Sequence, residues 1–327
     1  MSRAVTYVKL AIAANLWGTT FSISSVLLRS IDVFALISLR MIFGLVALLI
    51  YCGATHRLGK IGLMFKENRN WLLIIGIMFF AVAYIVQYTA LTPVNGVPLT
   101  TTFNQAVLLN LQSFFVIIIN WLYFKKKLSK MVLIGAIVAF LGTVLIDLKP
   151  GAIGPRQFTL WGDLITIGST VLWACFTAFS KPISEKPTTD PIVFNMINII
   201  LSCCVLVPIG ALSPTGFVKL VDITWIGWLG LIWLGSVCIG VAYVLWFDGL
   251  KEIDSSRVIV FVYMEPIFAS ILAIFWLGES LSVFSFVGMA LCFAGIFIAQ
   301  LERKPRAANT EEANQPIPFM NPAGDEV

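Results

Sequence analysis

Ala81-Val82-Ala83-Tyr84 and Gly240-Val241-Ala242-Tyr243 are nearly the same tetrapeptide, 159 residues apart. Two further blocks flank them in the same order. Leu16-Trp17 matches Leu172-Trp173 at an offset of 156, which also sets Ser24 on Ser180. Leu128, Ser129, Gly135 and Gly142 match Leu281, Ser282, Gly288 and Gly295 at a constant 153. About six extra residues around Pro93–Thr100 absorb the change of register. Single matches between apolar segments are common by chance, but three blocks in one order point to duplication.

What is duplicated follows from composition. Of 327 residues, 59% are apolar and 12% charged, with a mean hydropathy of +0.93. Two soluble domains expose too much surface for that balance, so the chain belongs in a membrane. A hydrocarbon core of ~30 Å takes about 20 apolar residues per helix. Ten such runs are expected, over 7–28, 33–52, 71–90, 98–122, 131–147, 160–180, 191–211, 223–247, 256–277 and 282–300. Backbone polar groups must be satisfied within lipid, so the spans are helices and the fold class is all-α integral membrane. Residues 302–327 hold four prolines and mixed charge, and read as a disordered cytoplasmic tail.

Ten spans in two copies are five plus five. With the N-terminus in the cytoplasm, 17 of the 22 Lys and Arg fall on the cytoplasmic side. Four (Arg29, Lys149, Arg156 and Lys219) fall opposite, and Arg40 is inside a span. Both termini are then cytoplasmic, the net charge of +5 is a topology signal, and no nucleic-acid partner is needed to explain it. Because five is odd, the second copy enters from the other side. Residues 1–150 and 151–301 are therefore expected to be inverted repeats, an arrangement of secondary transporters with a midplane site between the halves.

Asn15-Leu16-Trp17-Gly18, Arg40, and Glu265-Pro266-Ile267-Phe268 through Trp276-Leu277-Gly278-Glu279-Ser280-Leu281, with Gly288 and Gly295 beyond, resemble the drug/metabolite transporter superfamily of the ten-helix EamA type. The resemblance covers about residues 5–300. It implies two EamA-like repeats around a central substrate cavity, the fifth and tenth helices acting as outer supports, and a bacterial cytoplasmic (inner) membrane location. The first half departs from the pattern: Gln112-Ser113 stand where Glu265-Pro266 predicts a proline, and Lys126 stands opposite Glu279. The two halves have diverged, which predicts an asymmetric site.

Charges within a bilayer are costly unless paired or wet. Arg40 and Glu265 are the two placed well inside spans. Arg40 has three readings: an anion contact, a partner for Glu265, or a static brace. Glu265 is a candidate for proton coupling or substrate contact, or alternatively satisfies the carbonyl that Pro266 frees.

Uncharged polar residues recur at helical spacing. These are Asn15, Thr19 and Ser22; Tyr84, Gln87 and Tyr88; Gln105 and Gln112; Thr166, Thr170, Trp173 and Thr177; Asn195, Asn198 and Ser202; and Tyr243 with Trp246. Each alone is explained by interhelical hydrogen bonding, worth about 0.6 kcal/mol. Six such faces together predict a lined cavity, with Trp17, Trp173, Tyr84, Tyr243 and Trp246 either stacking on substrate or packing the core. Small residues Gly135, Ala139 and Gly142, and Gly288, Cys292 and Gly295, form seams for close helix contact and secondarily a homodimer face.

Function classes narrow accordingly. No G-x-x-x-x-G-K-[ST] loop is present for an ATP-driven pump, and no selectivity filter for a channel. His56 stands alone in a loop and the six Cys form no C-x-x-C, so no metal site, cofactor or disulfide framework is expected. A membrane enzyme lacks its clustered His or carboxylates. The expectation is a secondary carrier that moves a small metabolite, such as an amino acid or related compound, by alternating access; that it exports is what the family resemblance implies. A channel-like or non-transporting membrane protein is the alternative, and a polytopic enzyme the least favoured.

Overall fold

The computed structural model describes residues 3–28, 30–90, 93–94, 97–100, 102–147, 160–213, 217–269, 271 and 283–301. Glu279 with the rest of Trp276–Leu281, and the tail from 302, lie outside them, as do Lys149 and Arg156. Among the described residues the fold is helical apart from a two-residue antiparallel pairing of Pro93–Val94 with Val97–Pro98. Pro93 and Pro98 face each other in this pairing.

The helices are α1 (Arg3–Leu27), α2 (Val33–Ala54), α3 (Gly59–Leu73), α4 (Val82–Thr89), α5 (Thr102–Leu109), α6 (Gln112–Leu122) and α7 (Lys130–Asp147). The second half has α8 (Leu160–Ser184), α9 (Pro191–Leu212), α10 (Trp225–Ile232), α11 (Ala242–Glu252), α12 (Ser255–Val258) and α13 (Val283–Gln300). Among the described residues, six stretches are long and apolar enough to cross a membrane: Val33–Ala54, Gly59–Thr89, Trp161–Ser184, Pro191–Leu212, Trp225–Glu252 and Val283–Gln300. Val107–Leu122 and Lys130–Ile146 are shorter apolar helices.

Caps repeat along with the helices. Asp32 accepts from the backbone N–H of Phe34 and Ala35 at the start of α2. Asp190, 158 residues later, accepts from Ile192 N–H at the start of α9, where Pro191 occupies the first turn.

Packing shows how the copies relate. Helix α7 lies along α13, and α2 along α9. Helix α1 packs on α11, and its counterpart α8 packs on α4. In the α7–α13 seam, a Cβ on Gly135 would lie 2.5 Å from the Gly295 carbonyl oxygen, and one on Gly142 2.6 Å from that of Gly288. Position 135 corresponds to 288, and 142 to 295. Each glycine therefore meets the other's counterpart, as an antiparallel pair related by a two-fold axis must. The seams consume one another, so neither is free as a face between two chains.

Two helices depart from α geometry at matched places. Ile74–Ala81, just before α4, and Trp233–Val241, just before α11, are π-helical. Wider turns leave carbonyls without their α partners, and within lipid these need donors from elsewhere. Trp17 Nε1 donates to Cys238 O (2.9 Å), Asn195 Nδ2 to Ile239 O (2.9 Å) and Gly240 O (3.1 Å), and Ser202 Oγ to Gly76 O (3.1 Å). The fourth expected span is broken at Asn110–Leu111, between α5 and α6, and the ninth passes from α12 into a 3-10 stretch at Ile259–Met264.

Among the described residues, the ion pairs between the halves gather at one end. Lys9 pairs with Asp248, Arg57 with Asp190 (2.5 Å), and Lys126 with Asp254 (2.5 Å). Thr6 Oγ1 donates to Glu252 (2.5 Å), Lys186 Nζ to Asn68 Oδ1 (2.6 Å), and Asn120 Nδ2 to Ser255 Oγ (2.9 Å). This is the end where most basic residues lie.

Candidate functional site

Between the halves is a cavity of about 330 Å³. Leu28 and Tyr88, at or near the ends of α1 and α4, and Gln105, near the start of α5, carry it toward the end away from the ion pairs. Trp17, Gln112, Trp173, Tyr243, Trp246 and Glu265 line its inner part. Neither α7 nor α13 supplies a wall residue, in keeping with an outer position.

The aromatic walls are two copies of one arrangement. Trp17 packs with its ring tilted at 4.8 Å from Tyr243 and 5.0 Å from Trp246, measured between ring centroids. In the other copy, Trp173 meets Tyr84 edge-on at 4.9 Å. Where symmetry would put a second Trp246, Gln87 stands instead, and its Oε1 accepts from Trp173 Nε1 (2.8 Å). Gln112 donates to the Trp173 carbonyl (3.0 Å) and to Thr177 Oγ1 (3.2 Å).

Both ionisable residues of the inner wall break the symmetry. Arg40 corresponds to Asn198, and Glu265 to Gln112. Arg40 is 2% exposed, donates from Nη1 to the Tyr88 hydroxyl (2.8 Å), and lies 5.8 Å from the Tyr84 ring centroid. The Arg40–Glu265 pair admitted by the sequence is not formed: the guanidinium turns to Tyr88. Glu265 faces the cavity at the end of the 3-10 stretch, where a Cβ on Gly18 would come within 2.7 Å of its carbonyl oxygen. Gly18 thus lets the chain at Glu265 pass close to α1, and the two stretches Asn15–Gly18 and Glu265–Phe268 pack on each other.

Of the residues the sequence marks for the cavity, Trp17, Arg40, Tyr84, Gln87, Tyr88, Gln105, Gln112, Trp173, Thr177, Tyr243 and Trp246 line it, as does Glu265. Others lie elsewhere, Thr166, Thr170 and Ser202 among them. Asn15 is half-buried on α1. Thr19 Oγ1 donates to Leu16 O and accepts from Trp233 Nε1 (3.0 Å). Asn195 serves the π-helical carbonyls, and Asn198 Nδ2 donates to Phe194 O (3.0 Å). Their polarity answers backbone needs. The side chain of Ser22 is outside the described residues. Thr20, Ser24, Asn110 and Phe176 are wall residues beyond the sequence reading. Ser24 carried a signal in its match to Ser180.

With this geometry in hand, the EamA-like transporter family model matches residues 5–147 and again 160–301. The chain belongs to the EamA-like transporter family. It is a membrane transporter of the drug/metabolite superfamily. An uncharacterized transporter of Archaeoglobus fulgidus is 27% identical over 90% of this chain and 96% of its own length. Transporter YetK of Bacillus subtilis, also uncharacterized, is 24% identical over 91% of this chain and 87% of its own. A Salmonella typhimurium protein named "Probable amino-acid metabolite efflux pump" is 26% identical over 69% of this chain and 84% of its own. Among solved structures, one crystal structure superposes with a TM-score of 0.76 at 18% identity, covering 92% of this transporter and 98% of that chain. That likeness is one of fold. The family match falls twice on the transporter, on either side of residues 148–159, where the repeat offsets also divide it.

Proposed function

We propose that this transporter is a ten-helix secondary carrier of the inner membrane, with both ends in the cytoplasm, that exports a small metabolite such as an amino acid or related compound. One observation carries the reading. A cavity lined by aromatic and amide side chains extends between the two halves toward one end, while ion pairs joining the same halves gather at the other. Rocking one half against the other would exchange the open and closed ends, which is alternating access about a fixed site. By the charge count, the closed end is cytoplasmic, so the conformation described is outward-facing. The outward direction and the amino-acid class draw support from the name of the Salmonella relative, and the lining of Trp, Tyr and Gln suits a polar-headed, partly planar solute. Residues 1–150 and 151–301 are the rocking units.

Counterflow in liposomes tests this. Purified protein loaded with unlabelled amino acids is expected to accumulate a labelled member of the same set transiently. Flux that rises linearly with concentration and shows no counterflow would favour the channel-like alternative, and no flux would remove the amino-acid reading.

A further inference from the structure

We infer that Arg40 is the anion subsite of the cavity: its free guanidinium edge receives a carboxylate, or an oxyanion of like geometry, on the transported solute. This deepens the carrier reading and rests on it. The guanidinium is buried inside the protein, where an uncompensated charge is costly. Among the described residues no carboxylate pairs with it, and its one hydrogen bond uses Nη1, to the Tyr88 hydroxyl. Nε is buried with no partner among the described residues.

The donor left over is therefore on the Nε side of the fork. An Arg fork offers two parallel N–H groups to one carboxylate, the geometry in which Arg surpasses Lys. Tyr88, held on Nη1, and the Tyr84 ring fix the plane of the fork, so binding loses little side-chain freedom. A second orphan lines the same cavity: Ser24 Oγ is also buried without a partner among the described residues. Repeat symmetry separates this from mere packing. The counterpart Asn198 satisfies its own helix outside the cavity, so the fold places no charge at that position in the other half. Glu265, on another wall of the same chamber, then faces the remainder of a solute whose acidic group is held at Arg40.

The test compares acids with their amides on the full chain in nanodiscs: leucine with leucinamide, phenylalanine with phenylalaninamide, benzoate with benzamide. Binding is followed by the fluorescence of the cavity tryptophans, and flux by counterflow. The wild type is expected to prefer the acid of at least one pair by about ten-fold or more, Arg40→Gln to lose that preference, and Arg40→Lys to recover part of it. Empty Arg40→Gln is expected to melt no lower than the wild type, because no anion faces Arg40 in the unloaded protein, and to lose the melting shift that acids give the wild type. Equal binding of acid and amide by a wild type that carries both overturns the inference and leaves the carrier standing. So does an Arg40→Gln protein that melts lower yet still prefers acids, since Arg40 is then a brace for Tyr88. A wild type that binds and carries no member of any pair removes both.

Discussion

The Tyr263 hydroxyl donates to the main-chain carbonyl of Asn110 at 3.1 Å, and the two positions are each other's repeat counterparts, 153 residues apart. A contact between equivalent positions can occur only on or beside the axis that relates the halves. Here it falls where the fourth expected span breaks and beside the 3-10 stretch of the ninth. A broken helix leaves carbonyls that must find donors inside lipid, and Tyr263 supplies one across the axis. Tyr263→Phe keeps the ring and removes the donor. Its thermal unfolding in nanodiscs should register a loss of about 1 kcal/mol. Its counterflow rate should fall because the break that positions Gln112 is no longer pinned. An unchanged melting temperature and unchanged flux would show that the contact is incidental.

The α7–α13 seam makes a prediction about additivity. Gly142→Ala and Gly288→Ala each place a methyl against the other glycine's carbonyl, 2.6 Å away. Each single change should force the helices apart at a cost of about 1–3 kcal/mol. Once one methyl has opened the gap, the second enters space already made. The double variant should therefore fall short of the sum of the singles by at least about 0.5 kcal/mol. Strict additivity in thermal unfolding would mean that the two glycines do not share one contact.

The ion pairs at the closed end act as a latch between halves, and Asp254 gives it a pH signature. Burial alone would push the Asp254 carboxyl up, but the Lys126 ammonium beside it and the Ser256 N–H that it caps hold it below the ordinary carboxylate value. A carboxyl whose value is lowered by folding stabilises the closed end above its ordinary value. That contribution is lost only as pH falls through the lowered one. Closure should thus be insensitive to pH around neutrality and weaken only in acid. Asp254→Asn retains the amide oxygen as a cap and removes the charge, so it should raise cytoplasmic-side labelling of a cysteine introduced at Ser256 at neutral pH. Both residues are more than a third exposed, so the effect should be modest and should shrink in high salt. Equal labelling of variant and wild type from pH 4 to 8 would show that Lys126 and Asp254 do not hold the end shut.

Much of this was legible in the sequence, and the misses share a cause. The ends of α2, α7, α9 and α13 follow from apolar runs bounded by Asp32, Lys130, Pro191 and Gln300. Helix α3 begins at Gly59, well before the expected 71, because Lys60, Lys66, Glu67 and Arg69 interrupt hydropathy, while the backbone stays helical save for a kink at Asn68. Polar faces were harder to apportion. A buried Asn reads the same in sequence whether it faces a solute or a bare carbonyl, and the bare carbonyls behind Asn195 exist only because Trp233–Val241 is π-helical. No residue pattern announced that geometry. The asymmetry was visible, since Gln112 and Glu265 already differed at matched positions. Which way Arg40 turns is settled by packing, which a single sequence does not record.

Glu265 remains the one carboxyl on the inner wall, with no basic partner among the described residues. A proton and a solute that occupy the same chamber can be coupled simply because each alters the free energy of the other's binding. If Glu265 carries the proton, an imposed pH gradient should drive uphill movement of a transported solute in wild-type proteoliposomes. Glu265→Gln should then lose the response to the gradient while keeping solute counterflow, since the amide preserves shape and one hydrogen-bonding edge. Exchange thus separates coupling from binding: a residue needed only for packing would depress both processes together. A wild type indifferent to the gradient, joined to a Glu265→Gln protein with normal counterflow, would assign Glu265 to neither task and make the carrier a facilitator.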